Sequence, residues 1–312
     1  MKPFIRVTEI WVPNKDGTRL EFHDGLYGQL ANFRALSKSM RFGRGEGLPG
    51  KAWANQRPVI LKNFSETNFQ RTEAAEAAGL TCGVAMPVFD GDALTAVLVF
   101  FCGDDAEQVG AIELWHNDPS VSLKLALADG YYGNADMFEF NSKRTTFLKG
   151  YGLPGRVWKY NKPFIVRDLL DSKAFLRGKE ATQIGLNRGI GFPYVLRSGH
   201  VWVMTLLSAR DTPIARRVEI WVPDERQSAL TLQSDDCGQC AEHRSNQARA
   251  TIGSGEGIIG QVWRNKIPAV CADLSTDLTA AGRSAISAGL NSLVAMPVMD
   301  GSSPVAIVAW YS

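Results

Sequence analysis

Three stretches of the chain are apolar at nearly every position: TAVLVFFC (95–102), VWVMTLL (201–207) and AIVAWYS (306–312). A strand with one wet face alternates apolar and polar residues, so these runs predict strands buried on both faces. Each follows another apolar run that contains a proline: Pro87, Pro193 or Pro297. Before the first of these lies SETNFQRTEAAEAAGL, a helical pattern with Ser65 or Thr67 as cap, alanines inside and Gly79 at its left-handed end. Gly185 and Gly289 close the matching segments. Earlier still, EIWVP and TRLEFHD flank the turn-rich NKDG and predict a β-hairpin. PVILKNF opens with proline and reads as an edge strand.

The pattern occurs three times. GRGEGLPGKAW, LKGYGLPGRVW and GSGEGIIGQVW end in Trp53, Trp158 and Trp263, spaced 105 residues apart. Hairpin, edge strand, helix and closing strands keep that period. The chain therefore divides into repeats 1–106, 107–213 and 214–312. Each reads β-β-(short α)-β-α-β-β, an α+β unit with an antiparallel sheet and helices on one face.

GEGLPGKA (45–52) nearly spells a phosphate-binding loop, yet Ala52 stands where a magnesium-binding hydroxyl is needed and Pro58 cuts the helix short. A dinucleotide fingerprint fails for want of a parallel βαβ unit. The stretch is expected to be a turn into a short helix, about residues 49–55, anchored by the tryptophan.

At this point each repeat resembles a GAF domain. G-x-G-x-x-G-x-[AV]-W followed by proline, the helix ending in GL, and AMPV before a turn and an apolar strand carry the resemblance. It implies a sheet of about five or six strands with a small-ligand pocket under its helices, and roles in ligand sensing and dimerisation. The long flanking helices of the family are missing between the repeats, and no catalytic output domain is seen in the chain. Neither the phosphodiesterase asparagine-lysine-phenylalanine-aspartate-glutamate set nor a phytochrome Cys-His pair is recognisable. Leu48 and Pro49 stand where the free methionine-(R)-sulfoxide reductases carry cysteine. The expectation is a protein that is not an enzyme.

The formal net charge of +2 gives a nucleic-acid partner no support. No segment approaches the length of a membrane helix, and no signal peptide is apparent. Five cysteines do not suggest a disulfide framework, so a soluble, reduced, cytoplasmic protein is expected.

Candidate ligand-binding residues are Arg44, Glu46, Tyr151 and Glu256, which fall where the fold's binding loops are expected; the alternative is a solvated turn. Cys237, Cys240 and His243 have C-x2-C-x2-H spacing and admit three readings: ordinary loop cysteines, a redox dithiol, or a metal site lacking a fourth ligand. No metal is assigned and no cofactor named. His23, His116 and His200 are isolated in sequence, and Cys82 and Cys102 read as small core residues.

Closing strands buried on both faces need a second cover, and the repeats' own helices supply only one. The repeats are therefore expected to pack the backs of their sheets together in a pseudo-threefold body, with a homodimer contact in addition. Trp11, Trp115 and Trp221 are the expected shared interface. The functional expectation is a non-enzymatic sensor that binds a small ligand and signals through a protein partner, without nucleic acid or membrane. A ligand-free scaffold and a thiol redox protein using Cys237 and Cys240 are the alternatives.

Overall fold

The computed structural model describes residues 4–67, 69–103, 109–170, 175–196, 198–237 and 250–312. The first unit contains β1 (Ile5–Pro13), β2 (Arg19–Leu26), α1 (Ala31–Ser39), β3 (Arg41–Gly43), α2 (Gly47–Asn55), β4 (Val59–Lys62), α3 (Thr72–Ala77), β5 (Leu80–Asp90) and β6 (Ala93–Gly103). The second contains β7 (Gly110–Asn117), β8 (Lys124–Tyr131), α4 (Asp136–Arg144), β9 (Thr146–Leu148), α5 (Gly152–Tyr160), β10 (Phe164–Val166), α6 (Gly178–Gln183), β11 (Arg188–Val195) and β12 (Val201–Ser208). The third contains β13 (Arg217–Pro223), β14 (Ala229–Asp236), β15 (Thr251–Gly253), α7 (Gly257–Asn265), β16 (Ala269–Cys271), α8 (Ala280–Ser287), β17 (Leu293–Asp300) and β18 (Ser303–Tyr311).

Each unit forms one antiparallel six-stranded sheet, in the order β3-β2-β1-β6-β5-β4 in the first and its equivalent in the others. The α+β architecture expected from the repeats is thus present three times. The strand opening with Pro58 lies at the sheet edge, as its proline requires. Pro87, Pro193 and Pro297 belong to inner strands, yet each lies two residues past the end of the edge strand's pairing, at Ala85, Gly191 and Ala295. A residue without an N–H is tolerated there because that side of the strand has no neighbour to receive one.

Two helical details differ from the sequence expectation. α1 and α4 precede the glycine-rich turn and were not anticipated. Only Phe33 and Ser37 of α1 are buried, one residue per turn, too sparse a stripe to read as amphipathic. The helix before Gly79 is also shorter than its alanine content suggests. It starts at Thr72, with Arg71 rather than Ser65 or Thr67 at its N-cap, because the Arg71 side chain turns into the core.

The closing strands are buried on both faces. Ala96, Leu98, Phe100 and Cys102 of β6 face a core shared by all three units, while Val97, Val99 and Phe101 face the first unit's own core. β12 and β18 divide in the same way. Removing each large apolar side chain from water contributes about 1.5–3 kcal/mol, so the backs of the three sheets form a substantial common core.

The units join head to tail. β4 packs on β8, β10 on β14 and β16 on β2, which closes a pseudo-threefold ring within one chain. At the first joint Lys62 Nζ donates to Asp129 Oδ1 and to the Gly130 carbonyl, both at 2.8 Å. At the second, Arg167 donates to the Asp235 carbonyl at 2.6 Å and to its Oδ1 at 2.8 Å. The third joint has Ala272 at the place of these cations, and is tied instead by Lys266 to Asp90 at 2.8 Å.

Trp11, Trp115 and Trp221 do not form the shared interface. Each is fully buried in its own unit, on the helix-covered face. The reason is polar. Their indole N–H groups need acceptors, and the glutamates two residues earlier share their strand face.

Candidate functional site

The glycine-rich turns use up their own polar groups. Gly45 N donates to the Gly50 carbonyl at 2.7 Å, and Gly150 and Gly255 repeat this with Gly155 and Gly260 at 2.7 and 2.8 Å. A Cβ on Gly50 would stand 2.1 Å from the Gly43 carbonyl, so the crossing admits only glycine. Glu46 and Glu256 are exposed, and each accepts a bond at 2.8 Å from the backbone N–H three residues earlier, Gly43 or Gly253. Tyr151 takes the same place in the second unit and is 65% exposed; Arg44 is exposed as well. Arg44 and Glu46 thus share the outer turn of the first unit, while Tyr151 and Glu256 occupy the equivalent turns of the second and third, so the four do not converge on one site.

Beneath the helices, where a ligand pocket is expected, each unit holds a buried carboxylate in a cage of its own donors. Glu9 accepts from Trp11 Nε1 at 3.0 Å, Tyr27 Oη at 2.9 Å and the Arg71 guanidinium, with Ser37 Oγ at 2.8 Å. Glu113 accepts from Trp115 at 3.1 Å, Tyr132 at 3.1 Å, Thr205 at 3.0 Å and Arg177 at 2.6 and 2.8 Å. Glu219 accepts from Trp221 at 2.8 Å, Tyr311 at 2.9 Å and Arg217. Burial alone would raise the Glu113 carboxyl, but the charge and hydrogen bonds of Arg177 outweigh it and hold the group below its usual range. Burial and the neighbouring carboxylate push Tyr27, Tyr132 and Tyr311 upward, so these phenols remain donors.

The third cage is rebuilt from different elements. Arg71 and Arg177 stand at the N-caps of α3 and α6, eight residues before Gly79 and Gly185; eight residues before Gly289 the third unit has Ala281, inside α8, whose N-cap is Thr279, and its Arg217 comes from β13, where the first two have Val7 and Ala111. Tyr27 and Tyr132 follow β2 and β8 closely, where the third unit has Cys237, and its phenol comes from Tyr311 on β18. Aromatic and aliphatic side chains fill the remaining interior: Phe33, Phe42, Phe64 and Phe101 in the first unit.

The glutamate of the cage is legible in the sequence as E-x-W in all three repeats, where it stands two residues before the expected interface tryptophan. Cys237 is buried near Arg217. Cys240 and His243, on which the dithiol and metal readings depend, lie outside the described residues.

A cavity of about 380 Å³ opens on the pseudo-threefold axis instead. Its walls are residues 87–89, 192–196 and 296–299, the equivalent proline-bearing strand ends of the three units, with Gln56, Ser198 and the turns at 91–92 and 300–301. Phe192, Met296, Val88 and Val298 close its floor and are at most 4% exposed. The turns of the first and third units are tied by Gly91 N to the Gly301 carbonyl at 3.2 Å.

A second cluster spans the joint of the first two units. His116 Nε2 lies 3.0 Å from His200 Nδ1, the His116 ring stacks on Trp202 at 4.0 Å, and the Arg57 guanidinium covers the other ring of that stack, 4.3 Å from Trp202. Burial, then His200 and Arg57, lower the His116 pKa against the opposing pull of Asp118. His116 and His200, isolated in sequence, are thus brought together by β7 and the segment that leads into β12.

No family model and no curated protein matches the chain. Solved structures similar to it align over about one unit. A nitrate-site mutant of NreA from Staphylococcus aureus is 18% identical over 32% of this chain and 74% of its own, with a TM-score of 0.26. A GAF domain/HD domain protein from Geobacter sulfurreducens is 15% identical over 33% of this chain and 65% of its own, with a TM-score of 0.28. The fRMsr of Staphylococcus aureus, solved with substrate, is 15% identical over 31% of this chain, which spans only 56% of that protein; its TM-score is 0.25. No helix among the described residues is long and apolar enough to cross a membrane. By its strand order, its thrice-repeated glycine-rich turn and its helix-covered sheets, the chain is a tandem of three GAF-like repeats.

Proposed function

We propose that this chain is a non-enzymatic sensory protein of the cytoplasm that binds one small ligand on its pseudo-threefold axis and reports it to a protein partner. One observation carries the reading. The interiors of the units are occupied by their own glutamate cages and aromatic side chains, while the axial cavity of about 380 Å³ falls within the size range of small-molecule sites. A ligand there touches all three sheets, so it biases how the units are joined without needing a signalling helix. Native mass spectrometry of the full chain tests this: a retained small molecule is expected, and Ser198→Trp, which fills the cavity wall, should abolish it. Retention unaffected by that substitution would remove the axial site.

A ligand-free scaffold is the second reading, favoured by apolar side chains on the outside of the second unit. Met137 and Phe140 of α4 and Tyr151 are 68%, 47% and 65% exposed. Loss of partner capture by Met137→Lys with Phe140→Lys, in a chain that retains no ligand, would support it.

A further inference from the structure

We propose that the outward face of α4 docks onto α4 of a second copy of this chain, the two helices antiparallel about a two-fold axis beside Phe140. The inference does not depend on whether the axial cavity is a ligand site.

α4 and α1 are equivalent helices of the second and first units, and they keep the same inward face: Phe138 and Ser142 are buried, as Phe33 and Ser37 are. Asp136, Phe140 and Arg144 fall at i, i+4 and i+8 on the opposite side, with Met137 and Lys143 beside them, and all five are exposed. The same face of α1 carries Ala31, Asn32, Ala35, Lys38 and Ser39. The second unit therefore replaces small or polar residues by two large apolar side chains, Met137 and Phe140, 68% and 47% exposed. It also sets a carboxylate at one end of them and a guanidinium at the other. The inward face is unchanged, so the unit's own packing does not ask for the replacement.

The order of the charges identifies the occupant. The first turn of α4 is acidic, with Asp136 and Glu139, and the last is basic, with Lys143 and Arg144. A second α4 laid antiparallel, Phe140 against Phe140, sets each Asp136 opposite the partner's Arg144. It also lays each Met137 on the aliphatic stem of the partner's Lys143. A parallel arrangement would set like charges together, and antiparallel helix dipoles favour the same choice. Glu139 and Lys143 pair within the helix at 2.7 Å, so the crossing pairs are Asp136 with Arg144. The Arg144 guanidinium lies 3.4 Å from the centre of the Phe140 ring and donates to the Phe140 carbonyl at 3.1 Å, which holds it beside the axis. It has five N–H groups, more than that one bond uses. A helix of nine residues is only about 13 Å long. The contact is therefore smaller than the roughly 800 Å² per partner of a standard interface, and the dimer is a weak one.

Sedimentation equilibrium of the full chain, from about 5 to about 500 µM, reads the association. A monomer–dimer equilibrium weakened by salt is expected. Asp136→Arg and Arg144→Asp should each weaken it about tenfold, because each creates two like-charge pairs across the axis. The chain carrying both substitutions should return to within about threefold of the unmodified chain. Mixing the two single variants should give a heterodimer, since every crossing pair then joins opposite charges. Met137→Asn with Phe140→Ala copies the face of α1, which the fold already tolerates, and should abolish the dimer. A chain that is monomeric throughout overturns the proposal and leaves the face to a different protein. A dimer that survives Met137→Asn with Phe140→Ala, or that ignores both single charge substitutions, overturns it as well. Weakening by the single substitutions with no recovery in the double variant or the mixture overturns the antiparallel pairing.

Discussion

Arg217 and Glu219 lie two residues apart on one face of β13 and form a buried ion pair, whereas Glu9 and Glu113 are gripped by arginines at the start of a helix. The same carboxylate is thus neutralised from two directions. A buried carboxylate stripped of its partner is costly, so Arg71→Ala should destabilise the chain by about 3–5 kcal/mol. Adding Val7→Arg, which copies the third unit's arrangement, should restore about half of that or more. Chemical denaturation of the two variants measures it. No recovery in the double variant would mean that the cages are not interchangeable.

Acid should weaken the second unit through Glu113. Its carboxyl is held lower in the folded chain than its ordinary 4.5, so the unfolded chain takes up the proton first as pH falls. The stabilisation is complete above that value and is lost as pH drops through the folded pKa. Glu113→Gln should flatten the dependence of the urea midpoint on pH below about 4.5. An unchanged acid slope would show that the cage does not carry it.

The joint of the first two units should respond to milder acid. His116 is held below its ordinary 6.5 by burial, His200 and Arg57, with Asp118 opposing. The unfolded or opened joint binds the proton more readily, so stability is full above about 6.5 and falls as pH drops from there through the folded pKa. Ring resonances of His116 should titrate below the ordinary 6.5, and Trp202 fluorescence should change over the same interval. Titration of His116 at or above 6.5 would refute the assignment.

A single unit should not stand alone. Residues 1–106 in isolation would expose Met86, Leu98 and Phe100, all fully buried in the shared core. The fragment is expected to associate or to unfold without cooperativity, as sedimentation and thermal melting would show. A monomeric, cooperatively folding fragment contradicts the common core.

The sequence disclosed the repeat and the burial of the closing strands, because runs as apolar as VWVMTLL, broken only by Thr205, fit a strand with two dry faces. It misplaced Trp11, Trp115 and Trp221, since burial says nothing of direction; the indole's need for the glutamate two residues before it sets that direction. The exchange of Arg71 for Arg217, and of Tyr27 for Tyr311, was hidden because the partners come from positions that do not align. The cavity left one trace, a proline inside each inner strand, which marks where the edge strand ends and the wall begins.

The most direct test of the central claim is methyl NMR of the full chain before and after removal of the small molecule that native mass spectrometry detects. The account predicts shifts at Met296, Val88 and Val298 on the axis and none at Leu48, Leu153 and Ile259 inside the three units. Shifts at those interior leucine and isoleucine methyls with a silent axis would contradict it.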